Sequence, residues 1–172
     1  MSRKITALVV GALLSPLISV VTASGASAHG FVSDPPSRQA QCAAGTVSCG
    51  DIKAEPDNVR GPKGQATCNA GDARWADLND DGKDWTVTPV GQQATFTWTI
   101  TPGAQHPTAN WEYWIDGTRI ADFEYGGAQP PVTLAHTVSL AGRTGPQKIL
   151  AVWNESAADI AYYSCIDVNV SR

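Results

Sequence analysis

The chain has 172 residues, enough for one domain with an extended core and too few for two domains of ordinary size. Its 12 basic and 16 acidic residues give a formal net charge of −4. A chain with this acidic balance is a poor partner for nucleic acid or for an anionic membrane surface, so both are excluded as expected partners.

The first 28 residues have the pattern of a secretory signal peptide: two basic residues, an apolar run, and small residues before a cleavage site. We expect residues 1–28 to be removed, and residues 29–172 to form one exported, soluble domain, which we expect to be a monomer. Cleavage after Ala28 would leave His29 as the first residue of the mature protein.

The next part of the chain, from Asp34 to about Thr88, is rich in Pro, Gly, Asp, Asn and Ala, which predicts loops with short helical turns. From about Gly91 onward, apolar and polar residues alternate in a way that predicts half-buried antiparallel strands. The clearest runs are "ATFTWTIT" (94–101), "NWEYWID" (110–116), "VTLAHTVSL" (132–140), "KILAVW" and "CIDVNV". Several short strands without a long helical pattern predict a β-sandwich, with the loop-rich stretch as a large insertion after a short first strand.

The four cysteines all lie beyond the expected cleavage site, and an even number in an exported chain predicts two disulfides. Three pairings are possible. The short spacing between Cys42 and Cys49 favours a small loop closed by these two, which leaves Cys68 to pair with Cys165. A zinc site is disfavoured because the chain contains no C-x-x-C pair.

The three histidines are the candidate metal ligands. His136 falls on the apolar side of its predicted strand, which indicates a packed core histidine. His106 lies in the loop "TPGAQHPTANW", and His29 would carry a free α-amine whose pKa near 8 allows metal binding at neutral pH. The amine and ring of His29 together with the ring of His106 form a nitrogen donor set that suits copper, one ion per chain.

The aromatic residues Trp98, Trp111 and Trp153 alternate with polar residues in the predicted strands. This pattern is typical of side chains that pack in a core. We therefore do not expect them to form sugar-binding platforms.

Four segments resemble the bacterial lytic polysaccharide monooxygenases of auxiliary activity family 10: "HGFVSDPPSRQAQC", "CGDIKAEPDNVRGPKG", "HPTANWEYWIDG" and "ILAVWNESAADIAYYSCIDVNV". The chain is most similar to the short, single-domain members. The resemblance implies an immunoglobulin-like or fibronectin III-like β-sandwich whose copper is held by His29 and His106. It also implies a secreted enzyme that uses an external reductant with hydrogen peroxide or dioxygen to oxidise C1 or C4 of crystalline chitin, or of cellulose as the second choice. C1 of chitin is the expected site.

The same resemblance assigns two residues beside the metal. Tyr162, in "IAYYSC", stands where the family usually has a phenylalanine at the axial position, and it is a candidate catalytic residue. Ala104 matches the family alanine that crowds the copper. Both roles are implied by the resemblance and not by spacing.

Substrate binding is assigned by the resemblance to Glu55, Pro56 and Arg60. Here the chain departs from the family pattern twice. Ala54 replaces an aromatic residue before "EP", which removes a stacking contact with a sugar ring, and Arg60 replaces a glutamate by a permanent cation.

Three other functions are weighed against this one. A secreted, non-catalytic chitin-binding or cellulose-binding protein is suggested by Ala54 and Arg60. An exported copper carrier is disfavoured because Met1 is the only methionine and would leave with the signal peptide. A paired-carboxylate glycosidase is disfavoured because nothing in the spacing of its candidate residues supports it; these are Asp34, Glu112 and Asp159.

Overall fold

The computed structural model describes residues 29–172, and the expected signal peptide lies outside the described residues. The described backbone forms two β-sheets. Their nine strands are β1 (Gly30–Asp34), β2 (Arg60–Gly61), β3 (Thr88–Val90), β4 (Gln93–Ile100), β5 (Thr108–Ile115), β6 (Thr118–Glu124), β7 (Thr133–Ser139), β8 (Gly145–Glu155) and β9 (Ala161–Val170).

The two sheets differ in size. The smaller sheet has the strand order β1-β4-β7, and the larger has the order β2-β9-β8-β5-β6, with β3 added parallel to β9. Every other strand pair is antiparallel. The arrangement confirms the predicted β-sandwich, although β3 and β6 were not among the strands predicted from the sequence.

The core between the sheets is built from the alternation seen in the sequence. In β4, Phe96, Trp98 and Ile100 face inward while the intervening threonines face outward. Trp98 packs on Trp111 with ring centroids 4.9 Å apart, and Trp111 stacks on Trp153 at 5.0 Å. All three indoles are fully buried, which confirms that they are core residues.

His136 also lies in this core, as predicted. Its ring stacks on Phe123 with centroids 4.3 Å apart, and Nδ1 lies 2.9 Å from the hydroxyl of Tyr113. Burial lowers the pKa of His136 to about 4, so the ring is neutral at physiological pH. The third histidine is therefore a structural residue.

The predicted insertion covers the outer face of the larger sheet. It contains one α-helix, α1 (Arg38–Ala44), which is capped by the Ser37 hydroxyl, and two 3₁₀ segments, Gly50–Lys53 and Ala73–Asn79. The predicted disulfides are both present: one links Cys42 to Cys49 and the other links Cys68 to Cys165. Within residues 29–172, no helix has the length and apolar character needed to cross a bilayer.

A buried arginine fastens this insertion to the sandwich. The guanidinium of Arg38 donates to both carboxylate oxygens of Asp167 on β9, at 2.8 and 2.9 Å. It also donates to the Leu78 carbonyl at 2.8 Å and lies 2.7 Å from a carboxylate oxygen of Asp81. Because a buried cation is stable only when its donors are satisfied, these contacts fix the position of α1 against the sheet.

Candidate metal centre

His29 is held at one end of the sandwich by its backbone. Its carbonyl accepts a 2.9 Å hydrogen bond from the amide of Thr101, and the amide of Gly30 donates to the Asp57 carbonyl at 2.9 Å. A Cβ atom on Gly30 would lie only 3.2 Å from the Trp153 ring. Glycine after His29 therefore lets the chain lie tightly against the core at this point.

His106 lies in the loop between β4 and β5, and its backbone is also fixed. Its carbonyl accepts a 3.0 Å hydrogen bond from the Thr108 hydroxyl, and the carbonyl of Pro107 accepts one of 2.8 Å from the amide of Ser156. These contacts tie the loop to the end of β8. The position of the His106 ring is thus set by the sheet and not by a free loop.

The same loop connects the two histidines. Thr101, whose amide bonds to His29, also accepts a 2.9 Å hydrogen bond from the amide of Ala104 at its own carbonyl. This turn keeps buried Ala104, and the chain that leads to His106, at the end of the sandwich where His29 is docked. The backbones of His29 and of the loop that carries His106 are thus linked through Thr101.

The ring of His106 has one nitrogen that is paired and one that is not. Nδ1 lies 3.2 Å from Oε1 of Glu155, a carboxylate with only 5% of its side chain exposed. Nε2 is buried and has no hydrogen-bond partner among the described residues. Since buried imidazole nitrogens are normally satisfied, an orphaned Nε2 fits a metal ligand.

The donor set at this end limits what kind of metal it can hold. Among residues 29–172, no three side chains of the His, Cys, Asp and Glu types converge on one point. A metal bound by His29 and His106 would therefore need a further donor, and the α-amine of a mature His29 supplies one. These residues fit a nitrogen-ligated copper ion better than an oxygen-ligated one.

Tyr162 lies on β9 beside this end of the core. It is fully buried, and its ring centroid is 4.8 Å from that of Trp153. In the sheet, its backbone lies opposite Arg60 of the neighbouring strand β2. Its hydroxyl makes no hydrogen bond of good geometry to the described residues. Burial raises the pKa of Tyr162 to about 12, with nearby Arg60 lowering it and Glu155 raising it further. The phenol is therefore protonated at neutral pH.

Glu55 and Pro56 form a half-buried turn after the first 3₁₀ segment. Two nitrogens of Arg74 donate to the Glu55 carboxylate, at 2.6 and 3.2 Å, and the Asn58 amide donates at 2.9 Å. The hydrogen bonds from Arg74 are the main reason that the pKa of Glu55 is lowered, and the charge of His29 adds a smaller decrease. The Glu55 carboxylate is thus held mainly by the Arg74 guanidinium and the Asn58 amide.

Of the three residues that depart from the family pattern, Tyr162 is buried, whereas Ala54 and Arg60 are exposed. Ala54 follows the 3₁₀ segment that leads into the Glu55 turn, and Arg60 begins β2. Their side chains are on the surface and not in the core.

Sequence reasoning missed three residues that build this region: Glu155 beside the His106 ring, Arg74 on the Glu55 carboxylate, and Asp57. The carboxylate of Asp57 accepts a 2.5 Å hydrogen bond from the Thr101 hydroxyl. This bond helps to hold the start of β1, because Asp57 and Thr101 also bind the backbones of Gly30 and His29. No local pattern marks these residues, because each is distant in sequence from the residue it contacts.

A cavity of about 570 Å³ lies elsewhere, on the outer face of the larger sheet, and contains none of the predicted site residues. Two of its charged groups, Glu112 and Lys148, are paired. Glu112 accepts from Arg119 at 2.9 Å and from the indole of Trp114 at 3.1 Å, and Lys148 lies 2.9 Å from Asp81. The candidate metal centre is thus at the surface and not in this cavity.

The described fold is a β-sandwich, and the backbones of the two candidate ligands His29 and His106 are both hydrogen-bonded within it. Residues 29–168 match the family model described as lytic polysaccharide mono-oxygenase, cellulose-degrading. The chain therefore belongs to the lytic polysaccharide monooxygenases, and specifically to auxiliary activity family 10.

Known proteins support this assignment. The chain is 57% identical over 166 residues to a lytic chitin monooxygenase of Streptomyces ambofaciens, covering 96% of this chain and 95% of that protein. The neutron structure of a Jonesia denitrificans lytic polysaccharide monooxygenase matches with a TM-score of 0.79 and 46% identity, covering 83% of this chain and 100% of that one.

A Bacillus amyloliquefaciens CBM33 protein solved in complex with Cu(I) matches with a TM-score of 0.67 and 25% identity, over 83% of this chain and 100% of that one. These comparisons confirm the predicted family, the sandwich fold and the monooxygenase class.

Proposed function

We propose that this chain is an exported, copper-dependent enzyme that oxidises C1 of crystalline chitin, with cellulose as the second candidate substrate. One observation carries the proposal: the buried Nε2 of His106 has no hydrogen-bond partner among the described residues, and the loop that carries it begins at Thr101, whose amide donates to the His29 carbonyl. Removal of residues 1–28 would leave a free α-amine on His29. Residues 29–172 would then be the whole catalytic domain, acting as a monomer outside the cell.

The residues that would hold copper are His29, through its α-amine and ring, and His106, through Nε2. When bound, copper supplies the one-electron chemistry by which an external reductant and hydrogen peroxide or dioxygen oxidise a sugar carbon. The protein fixes both histidines through backbone hydrogen bonds, so little rearrangement is needed on binding. Such preorganisation is what makes a surface site with few ligands usable.

Tyr162 and Ala104 shape the inner side of the proposed site. The buried phenol ring of Tyr162 excludes water from the core side of the proposed site. Its pKa of about 12 keeps the hydroxyl protonated and able to donate a hydrogen bond. Ala104 is buried in the loop that carries His106, where its small side chain occupies little space. Both residues are proposed to limit which molecules can approach the metal from the protein side.

The outer side is proposed to bind the polysaccharide. The Glu55 carboxylate can accept hydrogen bonds from sugar hydroxyls, and Pro56 offers a rigid apolar contact beside it. Arg60 is exposed and can donate to a carbonyl oxygen. Chitin is placed before cellulose because the Streptomyces ambofaciens relative is named a lytic chitin monooxygenase.

The metal assignment is tested by electron paramagnetic resonance of the mature protein loaded with Cu(II). We expect a tetragonal spectrum dominated by nitrogen ligands, and its loss in His106→Ala. His136→Gln is the matched control, because that histidine is in the core and its substitution leaves the spectrum unchanged. A wild-type spectrum that survives in His106→Ala would refute the assignment.

The substrate assignment is tested by mass spectrometry of soluble products from β-chitin and from cellulose, with a reductant and peroxide present. Aldonic acid products from chitin are expected. Oxidised products from cellulose alone would reverse the order of substrates. Binding to both solids without oxidised products would contradict catalysis on either one.

A further inference from the structure

Glu155 is a buried carboxylate in contact with a proposed metal ligand, and no role has been assigned to it so far. It is the last residue of β8, and its side chain is 5% exposed. Oε1 lies 3.2 Å from Nδ1 of His106, within reach of a hydrogen bond. The second partner in its neighbourhood is the Tyr162 hydroxyl, whose pKa it raises.

The backbones of both Glu155 and His106 are held by hydrogen bonds. The amide of Glu155 donates to the Ile160 carbonyl at 3.1 Å, and Glu155 is paired across the sheet with Thr108. The Thr108 hydroxyl in turn holds the carbonyl of His106 at 3.0 Å. The distance between the carboxylate and the imidazole is therefore set by the β5–β8 pairing and does not depend on a mobile loop.

The protonation of the two ring nitrogens follows from this geometry. A carboxylate oxygen accepts hydrogen bonds, so a proton on Nδ1, the nitrogen that lies 3.2 Å from Oε1, would complete a hydrogen bond between the two side chains. In a neutral imidazole, a proton on Nδ1 leaves a lone pair on Nε2. Nε2 is the buried atom that has no partner among the described residues. The carboxylate thus selects the tautomer in which the unpartnered nitrogen can bind a metal.

We propose that Glu155 is a positioning residue that holds the His106 ring in its Nδ1-protonated tautomer and directs the Nε2 lone pair toward the metal. The proposal rests on the proposed function, in which His106 is a copper ligand. A carboxylate on the far nitrogen also makes a ligating imidazole a stronger electron donor, which favours Cu(II) over Cu(I). Glu155 thereby sets the orientation of the His106 ring and the ease with which bound copper would be reduced.

The first readout needs no metal. In the metal-free protein at pH 8, with histidine rings labelled with ¹⁵N, His106 is expected to show a protonated Nδ1 and an unprotonated Nε2. Glu155→Ala should shift the ring toward the opposite tautomer or a mixture of both. Glu155→Gln keeps an acceptor oxygen, so the Nδ1-protonated form should persist. An unchanged tautomer in Glu155→Ala overturns the proposal.

The second readout uses the copper-loaded protein. When a residue that hydrogen-bonds the non-coordinating nitrogen of a metal-bound histidine is removed, metal affinity typically falls roughly 10- to 100-fold. We expect a loss of Cu(II) affinity of this size for Glu155→Ala. Glu155→Gln should keep most of the affinity but raise the reduction potential, because the negative charge is gone. Glu112→Gln is the matched control, since that carboxylate contacts Arg119 and Trp114 and no histidine. Equal affinity in wild type and Glu155→Ala contradicts the proposal.

The two hypotheses fail in different ways. If the copper signal survives in His106→Ala, the proposed function is wrong, whatever the tautomer measurement gives. If His106 is required for copper but Glu155→Ala changes neither the tautomer nor the affinity, only the role of Glu155 is wrong. Should Glu155→Ala not fold, Glu155→Gln decides alone: an unchanged reduction potential overturns the proposal.

Discussion

The indole Nε1 of Trp153 donates a 2.7 Å hydrogen bond to the hydroxyl oxygen of Thr108, and both residues are fully buried. The same hydroxyl donates to the carbonyl of His106 at 3.0 Å. One side chain therefore connects the tryptophan core to the loop that carries a proposed metal ligand. The hydrogen bonds of Thr108 thus couple the packing of the core to the position of the His106 backbone.

Thr108→Val tests this connection. The substitution leaves the Trp153 indole without an acceptor and the His106 carbonyl without its donor, so we expect the free energy of unfolding to fall by about 1–3 kcal/mol. The electron paramagnetic resonance spectrum of the Cu(II) form should broaden as the loop loosens. Thr137→Val is the control, because that exposed threonine on β7 should change stability by less than about 0.5 kcal/mol. Equal effects of the two substitutions would contradict the connection.

Arg38→Met tests how the insertion is attached. It leaves the Asp167 carboxylate without its two charge-assisted hydrogen bonds, and breaking a buried pair in this way costs about 3–5 kcal/mol. Urea unfolding followed by tryptophan fluorescence measures the change. Arg119→Met removes an ion pair with Glu112 that is far more exposed, and it should cost at most about 1 kcal/mol. A loss for Arg38→Met no greater than for Arg119→Met would show that the buried pair does not hold the insertion.

The pKa of His136 predicts how stability depends on pH. An unfolded histidine has a pKa of about 6.5, and burial lowers the folded value to about 4. Above pH 6.5 the ring is neutral in both states. As the pH falls from 6.5 toward 4, only the unfolded chain takes up the proton, so the free energy of unfolding decreases by roughly 2–3 kcal/mol by pH 4.5.

The comparison that isolates this contribution is between the metal-free wild type and His136→Gln, unfolded in urea at pH 7 and at pH 4.5. Glutamine does not titrate, so most of the decrease assigned to His136 should be missing in the variant. Parallel decreases in the two proteins would mean that other groups carry the acid sensitivity.

Arg74→Met tests whether Glu55 must be held in place to bind substrate. Both side chains are about two-fifths exposed, so breaking the pair should leave the urea unfolding transition almost unchanged. The Glu55 carboxylate would lose its main orienting partner, and the dissociation constant for β-chitin should rise severalfold in a sedimentation assay. Arg119→Met is again the control. Unaltered chitin binding in Arg74→Met would remove the Glu55 turn from the proposed binding surface.

Much of the sandwich could be predicted because strand alternation is a local signal. Phe96, Trp98 and Ile100 alternate with threonines, and the structure buries them as expected. The strand β6 (Thr118–Glu124) escaped prediction because it is at the edge of its sheet and its side chains are mostly half-buried or exposed, so no clean alternation arises. The strand β3 contains Pro89, which argued against a strand although it pairs parallel to β9.

The candidate metal ligands could be predicted for a different reason. A histidine after a cleavage site has a chemical meaning that does not depend on the fold, and His29 was identified in this way. Glu155 could not be predicted from a local sequence feature, because it lies 49 residues after His106 and only the β5–β8 pairing brings the two together. Arg38 was equally hidden, since its main partner Asp167 is 129 residues away.

The most direct test of the central claim is the Cu(II) affinity of two proteins that differ by one residue at the start. One begins at His29, and the other retains Ala28 before it, so that the α-amine next to the imidazole becomes an amide. We predict that the extra residue weakens Cu(II) binding by more than the roughly 10- to 100-fold typical of losing an outer partner, because a direct ligand is lost. Equal affinities in a competition titration would contradict the claim that cleavage completes the copper site.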